Sequence, residues 1–254
     1  MKLIVFKGLI TIAYFGMIYV NYLANSLPLN NRNTGDISDS YPSLFTPSGY
    51  AFSIWGIIYI LLGVYVFKTV FSSGDQFSEQ YTYIVMGLFV LTSIFNISWL
   101  LLWHYDYIAL STIVMLVFLI VNVIIVNTIP TSDVLAKTAF SIYAGWIMVA
   151  FIANVTIMLV KLDLGLFMNN EVVWYVVVIT IGLGIISSLL YIDKNVVYGL
   201  VFVWAFLAIY LKHVGKDGHY VTSNLPIIYT LFIVVAITGV TIWTYISNGY
   251  KFFG

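Results

Sequence analysis

Three short patterns in this chain set indole and phenol rings among small or amide side chains at helical spacing. Trp55, Tyr59 and Gly63 are four residues apart, so on a helix they share one face. Asn96, Trp99 and Trp103 follow i, i+3, i+7, and Tyr143, Trp146, Ala150 and Asn154 follow i, i+3, i+7, i+11. Such rings stack on flat, largely apolar molecules, and a few amides and hydroxyls among them fix orientation by hydrogen bonds. A planar tetrapyrrole or a sterol-like lipid suits that lining; a sugar or an ion does not. An asparagine facing lipid would leave its amide unpaired, so Asn96 and Asn154 are expected to face a bundle interior, where bonding between helices is the alternative to ligand contact.

Other chemistries find less support. Cysteine is absent, which removes disulfides, thiolate nucleophiles and Cys-ligated metals together. A retinal Schiff base needs a lysine in mid-helix, and every lysine here falls at the end of an apolar run or between runs. Asp36 and Asp39, with Asn30, Asn31, Asn33 and Thr34, offer oxygens, yet their spacing matches no calcium loop; turn and helix-capping roles are expected, and no metal site. His104, Asp106, Asp163, Glu171, His213 and His219 lie at or between the ends of runs and read as solvated or interfacial caps. No nucleophile and base stand at reachable spacing, so no catalytic residue is assigned.

The elements that must position the aromatic stripes are membrane spans. Of 254 residues, 62% are hydrophobic and only 8% charged, against roughly 25% charged in soluble domains. Ten acidic and ten basic side chains cancel, which leaves no basic field for nucleic acid. With about 20 apolar residues needed per span, eight runs can be read: 3–24, 50–71, 82–103, 107–127, 138–160, 172–192, 196–211 and 225–246. The first is too long for a typical signal-peptide core and is read as a retained span. The fold class is therefore an all-α integral membrane protein with both termini on one side.

Lys2, Lys7, Lys68, Lys137, Lys194 and Lys251 fall on the N-terminal side, and Arg32, Lys161, Lys212 and Lys216 on the other. The positive-inside rule thus favours cytoplasmic termini, with a bacterial inner membrane as the expected location. Nearly all charge sits in the gaps, and only the first gap, residues 25–49, is long enough for structure of its own. Pro42 and Pro47 are expected to stiffen its return, and Gly49 to permit a tight entry into the second span.

The chain resembles the TspO/MBR family of tryptophan-rich sensory, or translocator, proteins. The family's W-G-x-x-Y-x-x-x-G pattern in helix two is matched by Trp55, Gly56, Tyr59 and Gly63, its helix-three asparagine and tryptophan by Asn96 and Trp99, and its helix-five pattern by Tyr143, Trp146, Ala150 and Asn154. The resemblance covers residues 1 to about 162 and implies a five-helix bundle there, with residues 163–254 adding three further spans. Two departures stand out. Gly49 and Ser53 occupy the entry to helix two where the family commonly has a tryptophan and a proline, and Val155 stands where animal members carry the tyrosine of a sterol-recognition pattern.

The resemblance implies binding of a porphyrin-type tetrapyrrole, or a haem-type ligand, with a sensory or regulatory output. The expected ligand-binding residues are Trp55, Tyr59, Asn96, Trp99, Tyr143, Trp146, Ala150 and Asn154, and the loop 25–49, with Asp36, Asp39, Tyr41 and Pro47, is the expected lid. Light-dependent porphyrin degradation is known for some members, but a non-enzymatic binder is the first expectation and no cofactor is required. The alternative is a transporter of an apolar or amphipathic small molecule. Expected partners are the ligand, the lipid bilayer and a second copy of the chain.

Overall fold

The computed structural model describes residues 2–26, 29–41, 43–72, 79–162, 170–215 and 224–254. Pro42, Asp163, Lys216 and His219 lie outside the described residues. The elements are helices: α1 (Lys2–Ser26), α2 (Thr34–Asp39), α3 (Ile54–Phe71), α4 (Glu79–His104), α5 (Ile108–Thr128), α6 (Val134–Lys161), α7 (Glu171–Ile192), α8 (Val196–Val214) and α9 (Leu225–Ser247), with 3-10 turns at Leu29–Asn31 and Gly49–Ser53. All but α2 are long and apolar enough to cross a membrane, giving eight candidate spans among the described residues. The protein is an all-α, multi-span integral membrane protein.

The helices begin and end close to where the apolar runs do, and polar residues account for the extensions. α6 starts four residues before its apolar run because the Asp133 carboxylate accepts the Ala136 N–H at 3.3 Å, a side-chain cap at a helix start. Asp133 also pairs with Lys68 at 3.0 Å. Lys137 turns back to the C-terminal end of α5 and donates to the carbonyls of Val126 (2.6 Å) and Ile129 (2.9 Å). Lys7 does the same for α3, donating to Val70 and Ser72 carbonyls at 3.0 Å each. The last carbonyls of a helix have no partner within it, and lysine supplies both hydrogen bonds and a favourable charge there.

The chain forms two compact units, Met1–Ile37 with Ile54–Ile147, and Ser38–Ser53 with Met148–Gly254. In the first, α4 packs against α1 and α5, and α1 also packs against α3. An aromatic core of Tyr65, Phe89 and Phe140 joins α3, α4 and α6. Gly63 is what lets α1 approach: an added Cβ would stand 2.5 Å from the Tyr14 hydroxyl, which donates to the Tyr59 carbonyl at 3.0 Å. Asn122 on α5 donates to Thr92 Oγ1 on α4 at 2.5 Å, with both side chains fully buried. The Asn122 amide nitrogen and the Thr92 hydroxyl thus find each other across the helix pair rather than facing lipid, while Asn122 Oδ1 is buried without a partner.

The second unit is built on α8, which packs against α9 and α7. The Gly199 backbone lies directly against Thr241 of α9, leaving no room for a Cβ. Tyr175 of α7 and Thr230 of α9 share a hydrogen bond, and His213 Nε2 sits 3.3 Å from the Tyr175 hydroxyl. After α9 the tail returns to the α7–α8 turn: Val196 N–H donates to Phe252 O, and the Asn248 amide donates to Lys194 O at 2.7 Å.

Candidate functional site: an aromatic cluster around Trp55

Trp55 stands in the first turn of α3 and is the centre of the first unit's ring cluster. Its ring stacks on Tyr59 (centroids 5.5 Å apart, planes at 20°) and on Trp99 (6.1 Å, 27°). The rings of Tyr143 and Trp146 meet it edge-on at 6.1 and 6.4 Å. Trp103 extends the stack from Trp99 at 6.2 Å. The i, i+4 step in α3 and the i, i+3 step in α6 produce this convergence, since each puts two rings on the same helix face. Trp55 stands at the centre of the aromatic lining that the spacing predicted. Trp99, Tyr143 and Trp146 are buried, and Trp55 and Tyr59 are partly exposed.

Beneath the rings runs a hydrogen-bond relay. Asn21 of α1 donates its amide to Asn96 Oδ1 at 2.7 Å, Asn96 donates to the Tyr143 hydroxyl at 3.2 Å, and that hydroxyl donates to Met17 Sδ at 3.7 Å. The Tyr59 hydroxyl is buried with no hydrogen-bond partner. It lies close to the Asn96 amide without a well-formed bond to it.

Six of the eight expected ligand residues, Trp55, Tyr59, Asn96, Trp99, Tyr143 and Trp146, therefore meet in one unit. Ala150 and Asn154 continue α6 into the second unit, where Asn154 donates to the Ala150 carbonyl at 3.0 Å. Asn21 and Met17 were missed: in the sequence they look like the fading end of a first span, and only the pairing of α1 with α4 gives them a role.

The first gap does have structure. Asn33 Oδ1 accepts the N–H groups of Gly35 (2.9 Å) and Asp36 (3.0 Å), while Asp36 Oδ2 accepts the Asn33 N–H at 2.9 Å, a reciprocal cap opening α2. Asp36 belongs with the first unit; Asp39, Tyr41 and Pro47 belong with the second. Lys161 lies 5.7 Å from the Tyr41 ring centroid, and Lys212 pairs with Asp39 at 3.4 Å. Gly49 has an ordinary backbone and open space around it, so the entry into α3 comes from the 3-10 turn Gly49–Ser53 rather than from glycine's freedom.

Two of the expected solvated caps are instead buried. His104 is fully enclosed, with Nδ1 2.8 Å from the Leu100 carbonyl, and His213 is 8% exposed against Tyr175. Each has the backbone or a neighbouring helix as its partner, which a position at the end of an apolar run does not reveal. Among the described residues no group of three or more His, Asp or Glu could hold a metal ion.

A family model described as "TSPO-like protein" matches residues 7–244. The chain belongs to this family. The match to the TSPO-like family continues through the last three spans, further than the motifs in spans two, three and five reach. No curated protein and no solved structure matches the chain. Membership of the TSPO-like family supports a general ligand-binding or sensory role.

Proposed function

We propose that this TSPO-like protein binds a flat, largely apolar ligand of the porphyrin or tetrapyrrole kind at the Trp55 cluster, with a sensory or regulatory output. The observation that carries the reading is Trp55 itself, a partly exposed indole in ring contact with four other aromatic residues. A ligand that slides between Trp55 and Trp99 exchanges ring–ring stacking for ring–ligand stacking. Each aromatic pair is worth only about 0.5–1.5 kcal/mol beyond its buried area. Burying a tetrapyrrole face of some 100 Å² or more returns roughly 2.5 kcal/mol or above at about 25 cal/mol per Å², so the exchange favours the ligand. The Tyr59 hydroxyl, which makes no well-formed hydrogen bond of its own, offers one to a ring substituent. Any part for Ala150 and Asn154 rests on their helical spacing and the family resemblance, and any part for Asp39, Tyr41 and Pro47 on the resemblance.

Titration of the purified protein with protoporphyrin, followed by absorbance and tryptophan quenching, tests this. Trp55→Leu and Trp99→Leu should each weaken binding by about tenfold, the loss of one stacked partner, with melting curves confirming that both variants fold. Unchanged affinity in both removes the site. Saturable binding without flux into sealed vesicles supports a sensor; flux of the porphyrin across them supports the transporter reading.

A further inference from the structure

The segment 43–53 is fastened to α7 and α8 by a line of contacts within the second unit. At one end, the Leu44 N–H donates to the Glu171 carboxylate at 3.2 Å, and Phe45 meets Phe206 edge-on at 6.0 Å. In the middle, Ser48 gives both its N–H (3.2 Å) and its hydroxyl (3.1 Å) to the Ala208 carbonyl. At the other end, Trp204 Nε1 donates to the Ala51 carbonyl at 3.2 Å, and its ring meets Tyr50 edge-on at 5.4 Å. Leu44, Phe45, Thr46 and Ala51 are buried as a result, each at most 5% exposed. These contacts come from backbone, aromatic and charged groups alike, and they recur about one helical turn apart along α8, at Trp204 and Ala208. A segment held in this way is a strap with a dedicated dock.

Two residues after the strap ends at Ser53 comes Trp55, in the first turn of α3. Ser53 and Ile54 are joined by a peptide bond, so the chain passes from the strap directly into the turn that carries Trp55. We propose that α7 and α8 serve as a dock for residues 43–53, and that undocking the strap loosens the first turn of α3, making the C-terminal spans a control element over Trp55. The coupling runs through the chain itself and is independent of which ligand the ring cluster takes.

The chain has no cysteine, so an introduced thiol can be followed alone in the full-length protein. Thr46→Cys places a thiol at a buried strap position, and its reaction with a maleimide reads undocking directly. Adding Ser48→Ala and Trp204→Phe removes two docking hydrogen bonds while keeping the ring packing, and should speed labelling about tenfold, since each bond contributes about 0.5–1.5 kcal/mol. Hydrogen exchange of residues 49–58 should rise in the same Ser48→Ala, Trp204→Phe protein while exchange across α5 stays unchanged. As the converse, Asp39→Cys with Lys212→Cys, joined by a short bis-maleimide, should slow exchange of residues 49–58; Asp39 is exposed and Lys212 partly so. Labelling of the Thr46→Cys protein as fast as that of a thiol at an exposed site overturns the dock. Exchange of residues 54–58 that ignores both the weakened and the cross-linked strap overturns the coupling. Neither readout uses porphyrin, so these results stand apart from any failure of ligand binding.

Discussion

The buried amides and phenols of the first unit divide into groups that hold helices together and one group that does not. Asn21, Asn96 and Tyr143 are partners of one another across α1, α4 and α6. Replacing Asn96 alone with leucine takes one partner each from the Asn21 amide and the Tyr143 hydroxyl, leaving them their bonds to Met17, and should cost about 1–2 kcal/mol in reversible unfolding from detergent. The Asn21→Leu, Asn96→Leu pair should lose less than the sum of the single changes, because no stranded partner remains in that contact; strict additivity would refute the link. Tyr59→Phe is the contrasting case. Its hydroxyl makes no well-formed hydrogen bond, so the change should move stability by no more than about 0.5 kcal/mol and yet weaken protoporphyrin binding severalfold in the same titration. The sequence made Asn96 and the rings visible through their spacing. It could not show Asn21, whose partner lies 75 positions away, nor that Gly63 answers to Tyr14 rather than to a ligand.

Among the elements, span boundaries were the most legible feature, because bilayer thickness imposes a length that apolar runs must meet. What lay outside that rule was the use made of the charges between spans. Lysines counted only for their side of the membrane turn out to close helix ends: Lys7 on α3 and Lys137 on α5. Lys137→Met keeps the length of the side chain but gives up both carbonyl bonds and the charge at the α5 terminus, and should lower stability by about 1–2 kcal/mol. Lys137→Arg should retain most of it, as measured by thermal melting in detergent. The first gap shows the limit in the other direction. Its capping pair Asn33 and Asp36 is a local pattern and could be expected from the sequence, whereas the docking of residues 43–53 on α8 joins positions 160 apart through backbone groups that no side-chain pattern announces.

For the whole molecule, we propose from the eight candidate spans among the described residues that both termini lie on one side, with the lysine count favouring the cytoplasm for that side. Single cysteines test it cleanly in a chain that has none. In intact cells a membrane-impermeant maleimide should label Tyr105→Cys, in the exposed turn between α4 and α5, and should reach Ser72→Cys, after α3, only once the cells are opened; the reverse pattern would invert the topology. Lys7, Lys68 and Lys137 all stand on the N-terminal side, and the hydrogen bonds and ion pair they make are all at that one face of the first unit. A charge that biases which loop stays behind during insertion is then the same charge that later clasps a finished helix end. With the proposed topology, orientation and assembly rest on one set of side chains, and a neutralised lysine is expected to be felt twice: first as a population of wrongly inserted chains, and again as a weakened face in those that insert correctly.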